Sequence, residues 1–423
     1  MIRSTHRPHR ARWRLAAGGA ALGVTLAVWL AAAPPVATAA TASATSAASS
    51  GASRHAAAVP DTLTAVDAAP YQLADGASFA TYQPRVEALS GTLGTVTMDS
   101  VLAGANRNAR SLCHDAVVPG ATGFCWDLAD DLTPEWFPQG VSGSGDASAD
   151  GLYQGHHVVA ASWYDLALGK GTRLSLVNRD DPEHTRYRHI LLVDPVSTTD
   201  YTTVPVHAGG IAWYGNYLYV VDTAHGLRVF DLRQLWPVDP SDGSTVGRGA
   251  DGHYYAAGYS YVAPQVGRYS QAGDGDCDPP PDSGTAPLCF SSLSLDRSTS
   301  PPSLLTSEYY RGVGGARLVR WGLDPSTGRL AAGGDGAVHA MAAYQTPHAD
   351  VQGAVSHDGR FFSATSHDIA AGTRFDERVG EAATSTGYPV GAESLSYWPA
   401  TGELWASTEF VGKRMVFSVA PGQ

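Results

Sequence analysis

Four carboxylates, Asp222, Glu308, Glu393 and Glu409, stand at the starts or ends of short alternating apolar runs, and repetition of those runs would carry them to one opening. Carboxylates converging there could bind Ca²⁺ or divide into a general acid and a general base. His207, just before Gly209 and Gly210, adds a candidate base or metal ligand, although a lone histidine in that position is more often a structural hydrogen-bonding residue. On this reading Glu308, Glu409 and His207 are candidate catalytic groups, and Asp222 and Glu393 are candidate metal ligands. Gln139, Trp163, Tyr309, Gln352 and His367 are candidate ligand contacts. Taken singly, each is as well explained by capping a strand, accepting a turn hydrogen bond or facing water. The sequence has no Gly-x-Ser-x-Gly elbow and no His-Glu-x-x-His helix, so neither a hydrolase nucleophile of that type nor a zincin site is expected.

The elements that must position these groups are visible in IAWYGNYLYVVDTAHGLRVFDL (211 to 232). Two alternating runs are hinged on Gly215-Asn216, a pair suited to the positive φ values of a tight hairpin, and a third run follows His225-Gly226. Similar pieces recur around FPQGVSG, CFSSLSLD, VQGAVSHDGRFFSATSHD and AESLSYWPATGELWASTEF. Gly140, Gly210, Ser292, Gly353 and Ser394 occupy equivalent positions in the first strands. A small residue there suits a strand that approaches a crowded axis. One such meander cannot bury its own faces, so radial stacking around a shared core is the natural solution. The expected fold is all-β: a single β-propeller of five blades, each a four-stranded antiparallel meander, over residues 137–423. The last unit shows three strands before the chain stops, so its fourth must come from upstream, with GTLGTVTMDS (91 to 100) as the candidate. Residues 61–136, which show no sustained helical periodicity, read as an elaboration packed on the propeller.

These units resemble the β-propeller superfamily, in particular secreted and periplasmic propellers of the YVTN and SMP-30/gluconolactonase-like type. YLYVVDT and ELWASTE resemble second strands of such blades, and GLRVFDL a third. The resemblance implies a divalent metal held by an acidic residue from one blade and Asn or Asp residues from others. Asp222 is similar to the Asp of the second-strand motif and Glu393 to the first-strand Glu. Gly209 and Gly210, however, occupy the stretch where the resemblance calls for Asn.

The N-terminus carries Arg3, Arg7, Arg10, Arg12 and Arg14, an apolar run from Leu15 to Ala33, and a small-residue exit near Ala39. That layout predicts a signal peptide over residues 1–40 and a secreted, extracellular protein without stable membrane insertion once the signal is cleaved. A retained membrane anchor is the alternative. Residues 41–60 read as a disordered Ala/Ser/Thr-rich tether. With the five signal arginines removed, 40 acidic side chains face 23 basic ones, a formal charge of −17, which disfavours nucleic acid and anionic membranes as partners. Cys113 with Cys125 and Cys277 with Cys289 are spaced as two local disulfides, each stabilising by roughly 3 kcal/mol in the chain-entropy model. AGDGDCDPPPD resembles the start of a calcium loop, but Pro279 stands where that loop needs Gly.

The expected function is binding of an extracellular small molecule or glycan at the axial opening. Aromatic pairs such as Trp163-Tyr164 and Tyr309-Tyr310 would supply stacking surfaces. The alternatives are a metal-dependent hydrolase of lactone, ester or glycosidic bonds, with Ca²⁺ as the candidate cofactor, and an extracellular interaction scaffold using the insertions at 236–256 and 270–288.

Overall fold

The computed structural model describes residues 59–116, 118–167, 169–273, 277, 285–366 and 369–422. The leader, most of the tether, His367, and Asp274, Asp276 and Asp278 of the acidic loop lie outside them. Arg54–Gln423 forms one compact unit.

Its strands pair as a succession of antiparallel meanders. The first runs through Trp136–Gly143, Val158–Asp165, Thr172–Asn178 and Arg186–Pro195. The second uses Ile211–Tyr214, Tyr217–Asp222, Gly226–Asp231 and Tyr261–Ser270. Ser292–Asp296, Ser303–Ser307, Arg317–Asp324 and Ala337–Gln345 follow, and then Val351–His357, Arg360–Thr365, Gly372–Glu377 and Thr384–Tyr388. The last consists of Ala392–Trp398, Glu403–Thr408, Met415–Val419 and the upstream strand Thr122–Cys125. The inner strand of each meander touches those of its two neighbours, and Ala392–Trp398 returns to Trp136–Gly143, so the ring closes. The chain is a β-propeller.

Crowding at the axis explains the small residues. A Cβ on Gly210 would lie 2.1 Å from the Leu293 nitrogen, one on Gly140 would lie 2.7 Å from the Ile211 nitrogen, and one on Gly353 would lie 2.8 Å from Leu395 N. At these three boundaries backbone meets backbone and no side chain fits between, while Ser292 and Ser394 hold the equivalent position in the other two meanders. Outside this ring the sheets pack through alternating apolar faces, with Leu174, Leu176, Leu218 and Val220 sharing one buried cluster.

Closure comes from a different segment than the sequence suggested. Thr122–Cys125, not residues 91 to 100, pairs with the last strand. Residues 91 to 100 hold the end of the helix Ser78–Leu93 and the start of the helix Met98–Ala103. The first helix buries Phe79, Tyr82, Val86 and Leu89 on one side, a periodic signal diluted in sequence by the small residues between them. It lies along the outer strands of the first two meanders, where Ser78 Oγ donates to Arg268 O and Tyr82 OH donates to Asp194.

Both disulfides form, and Cys113–Cys125 fixes the closing strand. Beyond it, Asp127 caps the short helix Leu128–Leu132, which inserts two buried carboxylates. Asp130 accepts from Arg173, His189 and the Tyr187 hydroxyl. His189 and the guanidinium groups of Arg173 and Arg107 overcome its desolvation and hold its pKa far below the usual carboxylate range. Asp131 accepts from Arg110 and from the Arg414 backbone N–H. The closing segment is therefore locked to the first meander by the buried Arg173–Asp130 ion pair and to the last by hydrogen bonds from Arg414.

Two substitutions test this. Gly210→Ala should cost about 2–3 kcal/mol through overpacking against backbone, seen as a lower melting temperature, whereas Gly243→Ala, with open space around it, should leave it unchanged. Asp130→Asn should cost about 3–5 kcal/mol, because it leaves Arg173 buried without its anion.

Candidate functional site

One end of the axis opens into a cavity of about 320 Å³ lined by Gln139, Tyr164, His207, Tyr309, Gln352, Glu393 and Glu409, with Thr223, Ser291 and the Cys277–Cys289 disulfide completing its wall. The inner strands bring these residues in through a common device. Pairing skips between Pro138 and Val141, between Val351 and Gly353, and between Ala392 and Leu395. Gln139, Gln352 and Glu393 lie in these bulges, which turn their side chains out of the ladder and toward the mouth. In the second meander the corresponding place is taken by Gly209, where a Cβ would lie 2.3 Å from the Ser291 carbonyl oxygen. His207 fills it from two residues upstream. Ala208 adopts a positive φ of 53°, and the His207 Nδ1 comes to 3.3 Å from the position a Gly209 Cβ would take. Tyr164, Thr223, Tyr309 and Glu409 arrive from the far ends of second strands.

Glu393 and Glu409 are hydrogen-bonded to each other. Burial, reinforced by the charge and hydrogen bond of Glu409, pushes the Glu393 pKa well above the carboxylate range. Burial also raises Glu409, opposed by hydrogen bonds from Gln139 and Glu393 and by the charge of Arg414. Two like charges in contact disfavour double ionisation, so the pair favours holding a proton, and Glu393 is the more strongly raised member. Gln139 Nε2 donates to Glu409 Oε2 at 2.8 Å, and Arg414 Nε holds the Glu409 backbone carbonyl at 2.7 Å. Burial pushes the Tyr164 and Tyr309 hydroxyls up to about 12, so both stay neutral donors. His207 packs against Tyr164 with ring centres 4.4 Å apart. The protein around it lowers its pKa, although the ring is solvent-accessible at the mouth, where water limits the shift.

Three sequence expectations place residues elsewhere. Glu308 is buried behind the cavity wall, where Arg317 grips both carboxylate oxygens at 2.6 Å and Tyr310 donates at 2.7 Å. It accepts from the Cys289 N–H, so it supports the disulfide and does not face the mouth. Asp222 lines a different cavity and has its two oxygens engaged by His225 and Arg228. It does not join Glu393 as a metal ligand pair; its neighbour Thr223 reaches the axial cavity instead. Trp163 is fully buried against Arg173 and donates to Ser175. Tyr164, on the opposite side of the strand, is the residue that reaches the cavity. Among the described residues, the group of three His, Cys, Asp or Glu close enough to share an ion is Cys113, His114 and Cys125, and its two thiols are joined as a disulfide.

No known family's sequence profile matches the chain, and no curated protein matches it. Similar solved structures include the Cps50 (Swd1) β-propeller domain of Myceliophteria thermophila, at 12% identity over 68% of this chain and 100% of that one, with a TM-score of 0.31. A chain of the mitotic checkpoint complex gives 9% identity over 73% and 94% with a TM-score of 0.31. Kuenenia stuttgartiensis hydrazine synthase gives 10% over 69% and 77% with a TM-score of 0.26. At these values the propeller assignment rests on the strand pairings and the closed inner ring, and the finer YVTN or gluconolactonase-like resemblance gains no support.

The raised carboxyl pair fixes the sign of a pH effect. Between the unfolded glutamate pKa and the raised folded values, the native state holds more protons than the unfolded chain, so stability falls as pH rises through that window. Glu393→Gln should remove much of this fall. Its melting temperature relative to the native chain should rise between pH 4.5 and pH 8, as measured by calorimetry.

Proposed function

We propose that the axial cavity binds a small polyhydroxylated molecule or glycan terminus from the extracellular medium. The observation that carries this reading is the convergence of Gln139, Gln352, Glu393 and His207 from inner strands onto one open cavity walled by Tyr164 and Tyr309. Amides, a protonated carboxyl and phenols offer donors and acceptors with little net charge, and aromatic walls suit the apolar face of a sugar ring. Secretion, supported by the leader-like N-terminus and the two disulfides, would give such a cavity access to extracellular ligands. The ladders described above support a five-bladed count.

A second reading, hydrolysis, is favoured by the shared proton. Glu409 would take a proton from water as the resulting hydroxide attacks a lactone or ester carbonyl, and Glu393 would pass its proton to the departing alkoxide oxygen. Contact between the carboxyls is closer than the separations of about 5 Å or more that glycosidases use to flank a bond, so this reading favours acyl over glycosidic substrates. Its metal-dependent form lacks Asp222.

A glycan array followed by saturation-transfer NMR should find a saccharide ligand whose affinity falls at least about tenfold in Gln352→Ala and in Tyr164→Ala, with melting temperatures unchanged. Binding that survives both substitutions would move the site elsewhere. Turnover of lactone or ester substrates lost in Glu409→Gln would establish the second reading.

A further inference from the structure

We propose that the ligand of the axial cavity carries a free amine, and that its ammonium takes the place of the proton shared by Glu393 and Glu409. The inference rests on the cavity reading above and narrows its ligand to one class, an amino sugar without an acidic group.

The cavity wall is acidic and has no cation to match. Among the described residues that line it, Glu393 and Glu409 are the carboxyls, and none is a lysine or an arginine. The Arg414 guanidinium lies behind Glu409, held by the backbone carbonyls of Glu409, Asp130 and Thr133. Arg311 follows Tyr310 outside the lining. Asp350, also outside it, accepts from the Tyr309 hydroxyl at 3.3 Å and adds a further negative charge nearby. His207 brings no charge of its own at neutral pH. With one proton between them, Glu393 and Glu409 therefore keep a negative charge that nothing in the wall offsets.

Two phenol rings flank this pair. The charges of Glu409 and Glu393 both act on the Tyr164 hydroxyl, and that of Glu393 acts on the Tyr309 hydroxyl. Aromatic faces beside carboxylates favour an organic ammonium, which is attracted by the ring quadrupole as well as by the negative charge. A calcium ion suits the site less well. It takes about six to eight oxygen ligands, and no third His, Cys, Asp or Glu joins the two carboxyls within ligand distance among the described residues. A free amino acid is also a poorer match, because its carboxylate would meet no cation in the wall. Gln352, Thr223 and Ser291 remain to meet the hydroxyls of a sugar. On binding, the ammonium donates to both carboxylates and the proton between them passes to water, so each ligand bound releases one proton. Affinity then rises with pH until the amine itself begins to lose its proton.

The test is isothermal titration of the chain from Thr41 onward, which retains the whole closed ring and both disulfides. The probes are glucosamine, galactosamine, mannosamine and chitosan oligosaccharides, each beside its N-acetylated form, in two buffers of different ionisation enthalpy. At least one amine should bind at least about tenfold tighter than its N-acetylated form and release close to one proton. Its affinity should gain up to about tenfold per pH unit below the amine pKa. Glu393→Gln should abolish the proton release, whereas Gln352→Ala, which leaves the carboxyl pair intact, should weaken binding with the proton still released. The buffer dependence of the native chain decides the matter even where a variant fails to fold. Neutral or N-acetylated sugars that bind as tightly as the amines would overturn the proposal and leave the cavity reading standing. Amine binding without proton release would overturn it as well, as would proton release on adding Ca²⁺ but not on adding any amine. Absence of binding by every saccharide, aminated or not, would remove both this proposal and the cavity reading.

Discussion

Backbone crowding at the axis is the constraint on which the rest of the molecule depends. Gly140, Gly210 and Gly353 leave no room for a Cβ between neighbouring inner strands, so the meanders can approach one another only along that row. Once they do, side chains are excluded from the axis itself and must leave the ladder to either side of the crowded row. The bulges at Gln139, Gln352 and Glu393 are where this happens at one end. The axial cavity and the packing of the ring are thus two results of the same close approach.

A ring of this kind fails unless its ends are joined. Thr122–Cys125 completes the last sheet, and Asp130 and Asp131 carry the joint into the protein interior, where Asp130 pairs with Arg173 of the first meander and Asp131 and the Asp130 carbonyl accept from Arg414 of the last. Arg414 links this closure to the site, because it binds the Asp130 and Thr133 carbonyls on one side and the Glu409 carbonyl on the other. Geometry at the carboxyl pair therefore depends on closure of the ring as well as on the residues that touch it.

Much of this was legible in the sequence because it is local. Alternating runs, the hairpin at Gly215-Asn216, small residues in the first strands and cysteines twelve positions apart all act over short distances. Gln139, Gln352, Glu393, Glu409, Tyr309 and His207 were recognisable candidates because strand repetition alone carries them toward one end. What remained hidden depended on partners distant in sequence or space. Glu308 and Asp222 look as available as Glu393 until Arg317 and Arg228 are placed against them. Trp163 and Tyr164 are exchanged by the choice of strand face, which the bulge in the facing strand obscures. The closing strand was missed because TGFC is short and glycine-containing, and only its partner Met415–Val419 identifies it.

The central claim is that a proton is held between Glu393 and Glu409 inside an otherwise nearly neutral cavity, and infrared spectroscopy reads that proton directly. Difference spectra of the native chain minus Glu393→Gln at neutral pH should show the carbonyl stretch of a protonated carboxylic acid that is lost in the variant and that shifts in deuterium oxide. A difference spectrum showing only the loss of an ionised carboxylate would contradict the account, because the two glutamates would then carry separate charges.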